Sequence, residues 1–171
     1  MEREEAFMIK QNVFGDDRGT FFPLDITDSR WLQSNVSISK KWTFRGLHHQ
    51  KGDTAQAKQV TVIKGSIIDF VVDLRKGSFM DTKYFKMLPG DQVYVPKGFA
   101  HGFIVLEEDT IIQYLVDNIY SPSTEISFDW KSVEMVKEII LAEVGNESQL
   151  FLSTKDSKAV QLTTEHVEIN L

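Results

Sequence analysis

Short apolar runs, separated by turn residues at near-regular intervals, fill the middle of the chain. Residues 60–63 (VTVI) are β-branched, and residues 66–74 (SIIDFVVDL) form a longer run beyond the turn signal Lys64-Gly65. Further runs follow at 84–87, 92–95, 99–106 and 110–116, with turns at Leu88-Pro89-Gly90-Asp91 and Pro96-Lys97-Gly98. Strands this short and this closely spaced predict an antiparallel sandwich or barrel. They leave no room for the helical crossovers of a parallel sheet. The pattern changes at 132–144, where Val133, Val136, Ile140 and Val144 recur at helical spacing. That predicts an amphipathic helix packed on the barrel, with Ser132 capping its start and Gly145 ending it. A partner-binding helix is the alternative.

Composition narrows the class. The chain has 171 residues, 42% hydrophobic and 26% charged, as expected of one globular domain over 1–171. A net charge of -6 offers no global field for nucleic acid or a membrane surface, so a bound diphosphate needs a local cluster of cations. The absence of cysteine excludes disulfides, thiolate metal sites and Cys nucleophiles, and fits the cytoplasm. No signal peptide and no apolar run of membrane-spanning length is apparent.

The segment GDQVYVPKGFAH, residues 90–101, resembles the second sequence motif of the cupin superfamily. That resemblance implies an all-β fold, a cupin-like jelly-roll barrel with one or two peripheral C-terminal helices. His101 would begin a strand with its side chain toward the interior. In metal cupins this His joins two others spaced by one residue and a Glu. Here His48 and His49 are adjacent, so on a strand they face opposite sides and cannot share one interior ion. The residues after them supply no Glu, and Lys58 would bring a cation into the cavity. No metal and no cofactor is expected.

The block Arg45-Gly46-Leu47-His48-His49-Gln50 resembles the Arg-Gly-Leu-His-Tyr-Gln block of the dTDP-4-dehydrorhamnose 3,5-epimerase family. Seven further blocks agree in order, beginning with FGDDRGTF at 14–21, Gln33-Ser34-Asn35, Ala55-Gln56-Ala57-Lys58, Val72-Asp73-Leu74-Arg75 and PKGFAHGF at 96–103, then Tyr114 with Tyr120, Pro122 and Glu125. LSTKD at 152–156 completes the set, and the resemblance covers nearly the whole chain.

Such an epimerase inverts carbons beside the ketone of a nucleotide-linked 4-keto sugar, in deoxysugar and polysaccharide precursor synthesis. The chemistry needs a base on one face, an acid on the other and a stabiliser for the enolate oxygen. The resemblance implies His48 as base, Asp156 as its orienting carboxylate, Tyr114 as acid and Lys58 beside the carbonyl oxygen. It implies substrate contacts from Arg18, Phe21, Gln33, Asn35, Arg45, His101, Tyr120 and Glu125, with Tyr120 stacked on the nucleobase. It also implies a homodimer.

Several positions depart from the family pattern. His49 replaces the usual Tyr, Pro23 stands where many members carry Glu, and Val36 and Ile38 stand where polar or basic residues are common. Asn118-Ile119 replaces an Asp-Tyr pair, and the stretch 131–149 is longer than usual. These changes leave the nucleobase, the sugar and the number of inverted carbons open. A 3,4-ketoisomerase of the same substrate class and a non-catalytic sugar-nucleotide barrel are the alternatives.

Overall fold

The structure, a computed structural model, describes residues 4–16, 19–22, 24 and 30–168. In chain order these form β1 (Phe7–Ile9), β2 (Phe14–Asp16), β3 (Gly19–Phe21), β4 (Gln33–Ser39), β5 (Phe44–Gln50), β6 (Lys58–Lys64) and β7 (Ile67–Asp73). Then come β8 (Thr82–Met87), β9 (Gln92–Val95), β10 (Phe99–Val105), β11 (Thr110–Val116), β12 (Glu125–Ser127) and α1 (Glu134–Val144). One sheet has the order β1-β9-β6-β11-β4, the other β12-β5-β10-β7-β8, and β2 pairs with β3. Neighbouring strands run antiparallel throughout. This is the all-β, cupin-like barrel that the apolar rhythm and the Pro-x-Gly motif predict.

Two cores explain why β7 lacks the polar alternation of a half-exposed strand. Its inward residues Ile67 and Val71 meet Val60, Val62, Val93 and Ile112 of the facing sheet. Its outward residues Ile68, Phe70 and Val72 pack under Val136, Ile140 and Val144 of α1. All seven β7 residues are buried. The strand reads as one apolar run because both faces are covered.

The helix ends as expected, with Gly145 at φ 80° and its N–H donating to the Leu141 carbonyl. The expected cap at its start is corrected. Val133 occupies the N-cap position without a side-chain bond. Ser132 belongs to a preceding 3-10 turn, where its hydroxyl donates to the Asp129 carbonyl and accepts from Leu162 N–H. Tertiary contact with the C-terminal segment has claimed the hydroxyl that local pattern assigned to the helix.

Candidate active site

The two sheets enclose a cleft of about 670 Å³. β5 and β10 supply His48, Arg45 and His101 from one sheet; β4, β6 and β11 supply Gln33, Asn35, Lys58 and Tyr114 from the other. Even spacing along β4 and β11 puts Gln33, Asn35 and Ser37 on the pocket side, and Tyr114 with Val116.

Arg45 and His48 break that rule, since residues three apart on a regular strand face opposite sides. The register supplies the reason. His101 lies opposite His48 and Phe103 opposite Arg45, so β5 spends one residue more than β10 over this interval. The bulge returns both side chains to the pocket. It lies where the two strands nearly touch: a Cβ on Gly46 would come within 2.5 Å of the Gly102 Cα, and Gly46 holds φ at 140°. Only glycine fits there.

His48 presents Nε2 to Asp156 Oδ1 at 2.6 Å, and the neighbouring Ser127 hydroxyl donates to the same oxygen at 3.4 Å. Asp156 sits in a 3-10 turn, Asp156–Lys158, and its N–H donates to the Ser153 hydroxyl. Burial alone would raise its pKa. The hydrogen bond and charge of His48 outweigh burial and hold the carboxyl below its usual range. His49 points the other way, into the protein behind β5, where its ring meets Glu168 Oε1 at 2.6 Å and the Phe99 carbonyl at 3.3 Å.

Tyr114 lies across the cleft from His48, on the opposing sheet. Burial raises its pKa, so the phenol keeps its proton. Lys58 shares the pocket, and burial lowers its ammonium to about 8, against support from Glu125 and Asp69. His101 Nε2 meets the fully buried Asp69 Oδ2 at 2.7 Å. At the rim, the Tyr120 hydroxyl donates to Glu125 Oε2 at 2.8 Å, and Lys155 Nζ donates to the same oxygen at 2.5 Å. For Glu125, burial pushes the pKa up, but these two bonds and the His48 charge bring it below its ordinary value. Arg45 Nε donates to the Ser39 hydroxyl at 3.1 Å.

Ten of the residues singled out from sequence therefore share one cleft: His48, Tyr114, Asp156, Lys58, Gln33, Asn35, Arg45, His101, Tyr120 and Glu125. Phe21 lies on β3, and its side chain is outside the described residues, as is Arg18. Sequence reasoning did not place Asp69, Lys155 or Phe151 in the site. Asp69 did leave a signal, as a carboxylate inside an otherwise apolar run. Lys155 reads as a surface charge until the fold turns it toward Glu125. Among the described residues, no three His, Asp or Glu side chains gather as a metal-holding group.

Fold and cleft together define a class: a small cupin-type barrel with a His–carboxylate pair on one wall and a phenol and an ammonium on the other. Residues 1–164 match the family model described as dTDP-4-dehydrorhamnose 3,5-epimerase. The protein of that name from Escherichia coli K12 is 34% identical over 174 residues, covering 94% of this chain and 91% of the relative. The one from Salmonella typhimurium LT2 is 37% identical over 168 residues, covering 91% and 89%. Among solved structures, the dTDP-6-deoxy-D-glucose-3,5-epimerase of Legionella pneumophila, in complex with dTDP-4-keto-L-rhamnose, superposes with a TM-score of 0.79 at 30% identity. It covers 100% of this chain and 96% of that one. The chain belongs to the dTDP-4-dehydrorhamnose 3,5-epimerase family, a family of isomerases.

Proposed function

We propose that this protein epimerises carbon 3, carbon 5 or both of a dTDP-linked 4-keto-6-deoxy sugar, by proton abstraction through an enolate. The observation that carries this reading is the His48–Asp156 pair, 2.6 Å apart, facing Tyr114 across one cleft that also holds Lys58. A proton beside a ketone is acidic because the resulting carbanion delocalises onto the carbonyl oxygen. With Asp156 on Nε2, the other ring nitrogen of His48 takes that proton, and the carboxylate stabilises the imidazolium that forms. The Lys58 ammonium supports the enolate oxygen more strongly than the neutral ketone, which is what lowers the barrier. Tyr114 then gives its proton to the opposite face of the carbon. The configuration inverts, and solvent restores both side chains. Supply from opposing sheets gives the two-sidedness that epimerisation needs.

Gln33, Asn35, Arg45, His101, Tyr120 and Glu125 are assigned to substrate binding, with Arg18 and Phe21 assigned on the family pattern alone. Arg45 suits a phosphate oxygen by its planar fork of donors. The chain acts as one domain and as a homodimer in the cytoplasm. Exposed Val36 and Ile38 on the edge strand β4 support the dimer, because an apolar edge calls for a partner.

Incubation with dTDP-4-keto-6-deoxyglucose in heavy water, followed by proton NMR, tests the reading. Deuterium at both carbons flanking the ketone identifies a 3,5-epimerase, and deuterium at one identifies a single-site epimerase. No exchange with this sugar nucleotide overturns the assignment.

A further inference from the structure

The two adjacent histidines of β5 face opposite ways, and each meets a carboxylate at 2.6 Å: His48 meets Asp156 in the cleft, and His49 meets Glu168 behind the strand. Both carboxylates come from the C-terminal segment. Between them Val160 is fastened beside β12, where its N–H donates to the Ser127 carbonyl at 3.0 Å and its carbonyl accepts from Asp129 N–H at 2.7 Å. Glu168 is anchored in turn. Its N–H donates to the Leu74 carbonyl at 2.7 Å, and its carbonyl accepts from Lys76 N–H at 3.1 Å. The segment therefore grips β5 from both faces. Burial lowers the pKa of His49 against the opposing pull of Glu168, so the ring is neutral and has one proton to donate. The shorter contact, to Glu168, takes it, while the Phe99 carbonyl stands 3.3 Å from the other ring nitrogen.

We infer that His49 and Glu168 are positioning residues for the reaction: their hydrogen bond fixes the roll of β5 about its own axis, and with it the aim of His48. This rests on the proposed role of His48 as base. Neighbouring side chains on a strand point to opposite faces, so a roll that moves His49 swings His48 the other way. β5 needs such a hold. Its register with β10 breaks between His101 and Phe103, just before His48, and Gly46 offers no side chain to grip there. Leu47, fully buried in the outer core, holds the same face as His49, but apolar burial is non-directional. The hydrogen bond supplies the direction. Neither His49 nor Glu168 lines the cleft, so the pair acts through the strand and not on the substrate.

The test measures kcat and KM for dTDP-4-keto-6-deoxyglucose in the wild-type protein, Glu168→Ala and Glu168→Gln. Alongside it, proton NMR follows the downfield signal of the His48–Asp156 hydrogen bond, identified by its loss in His48→Gln. Glu168→Ala should lower kcat about tenfold, as a misaimed base does, with KM changed less than about twofold. The hydrogen-bond signal should weaken or move upfield in the same variant. Glu168→Gln keeps a carbonyl oxygen that accepts from His49, so it should stay close to wild type in both readouts. Unchanged kcat per folded molecule in Glu168→Ala overturns the inference even if the melting temperature falls, because the pair would then only stabilise. So does an equal loss in Glu168→Ala and Glu168→Gln, which would assign the effect to the charge and not to the hydrogen bond. A wild-type protein inactive on this sugar overturns the substrate reading alone. The hydrogen-bond signal then decides the inference by itself, and an unchanged signal in Glu168→Ala overturns it.

Discussion

Burial holds the Lys58 ammonium near pKa 8 inside a barrel wall otherwise built from Val60 and Val62. The charge is therefore present at neutral pH and lost just above it. Turnover should fall as pH rises through about 8, and Lys58→Met should be nearly inactive at every pH. The same group has a cost in stability. Between pH 8 and the ordinary lysine value the unfolded chain binds a proton that the folded chain does not, so stability rises with pH in that window. Lys58→Met lacks this slope. Chemical denaturation of both proteins at pH 7 and pH 9.5 should show the wild type gaining on the variant at the higher pH; equal slopes would contradict the burial. Tyr114 makes a sharper case. If it is the acid, Tyr114→Phe leaves His48 able to remove a proton and return one to the same face. Deuterium should still enter the sugar in heavy water while the inverted product disappears, whereas His48→Gln should lose both by at least about a hundredfold. Loss of exchange in Tyr114→Phe would mean that the phenol is needed for abstraction too.

The strands from β6 to β11 were legible as elements because their apolar runs and their turns agree. Gly65, Gly90 and Gly98 all hold positive φ where the turn signals stand. The strands β1, β4 and β12 were not legible. β4, QSNVSIS, alternates a polar pocket side with exposed Val36 and Ile38, so its pattern gives no inward face. The bulge between β5 and β10 was equally hidden, since nothing local to Arg45-Gly46-Leu47-His48 states the register of its partner. Gly102→Ala tests that junction. The added methyl would lie 2.8 Å from the Arg45 carbonyl oxygen, so we expect a loss of about 1–3 kcal/mol in denaturant unfolding and a fall in turnover as Arg45 and His48 shift. Ile140→Ala is the contrast. It empties the core under α1, on the far side of β7 from the cleft, and should cost about 2–5 kcal/mol with turnover per folded molecule retained. A parallel fall in turnover would mean that the outer core also sets the site.

At the scale of the molecule, β4 closes one edge of its sheet and carries Val36 and Ile38, each 65% exposed, next to Gln33, Asn35 and Ser37 in the cleft. If this edge is the dimer contact, Val36→Lys with Ile38→Lys should shift the protein toward monomer in sedimentation velocity. Substrate affinity should fall with it, because the cleft wall is the same strand. An unchanged sedimentation coefficient would place the dimer elsewhere. Among the described residues no helix is long and apolar enough to cross a membrane. The amino-acid order by itself determined the strand rhythm, the helix at the C-terminal side, the family and ten of the residues that meet in the cleft. The rhythm and the helix are written in residue type and spacing, which local physics reads directly, whereas the family and the site residues were carried by the resemblance of the sequence blocks. Only tertiary structure decided that Asp69 backs His101, that Lys155 and Tyr120 share one oxygen of Glu125, and that Arg45 and His48 face the same way. Those facts depend on register and on contacts between residues tens of positions apart, and no local pattern encodes the partner.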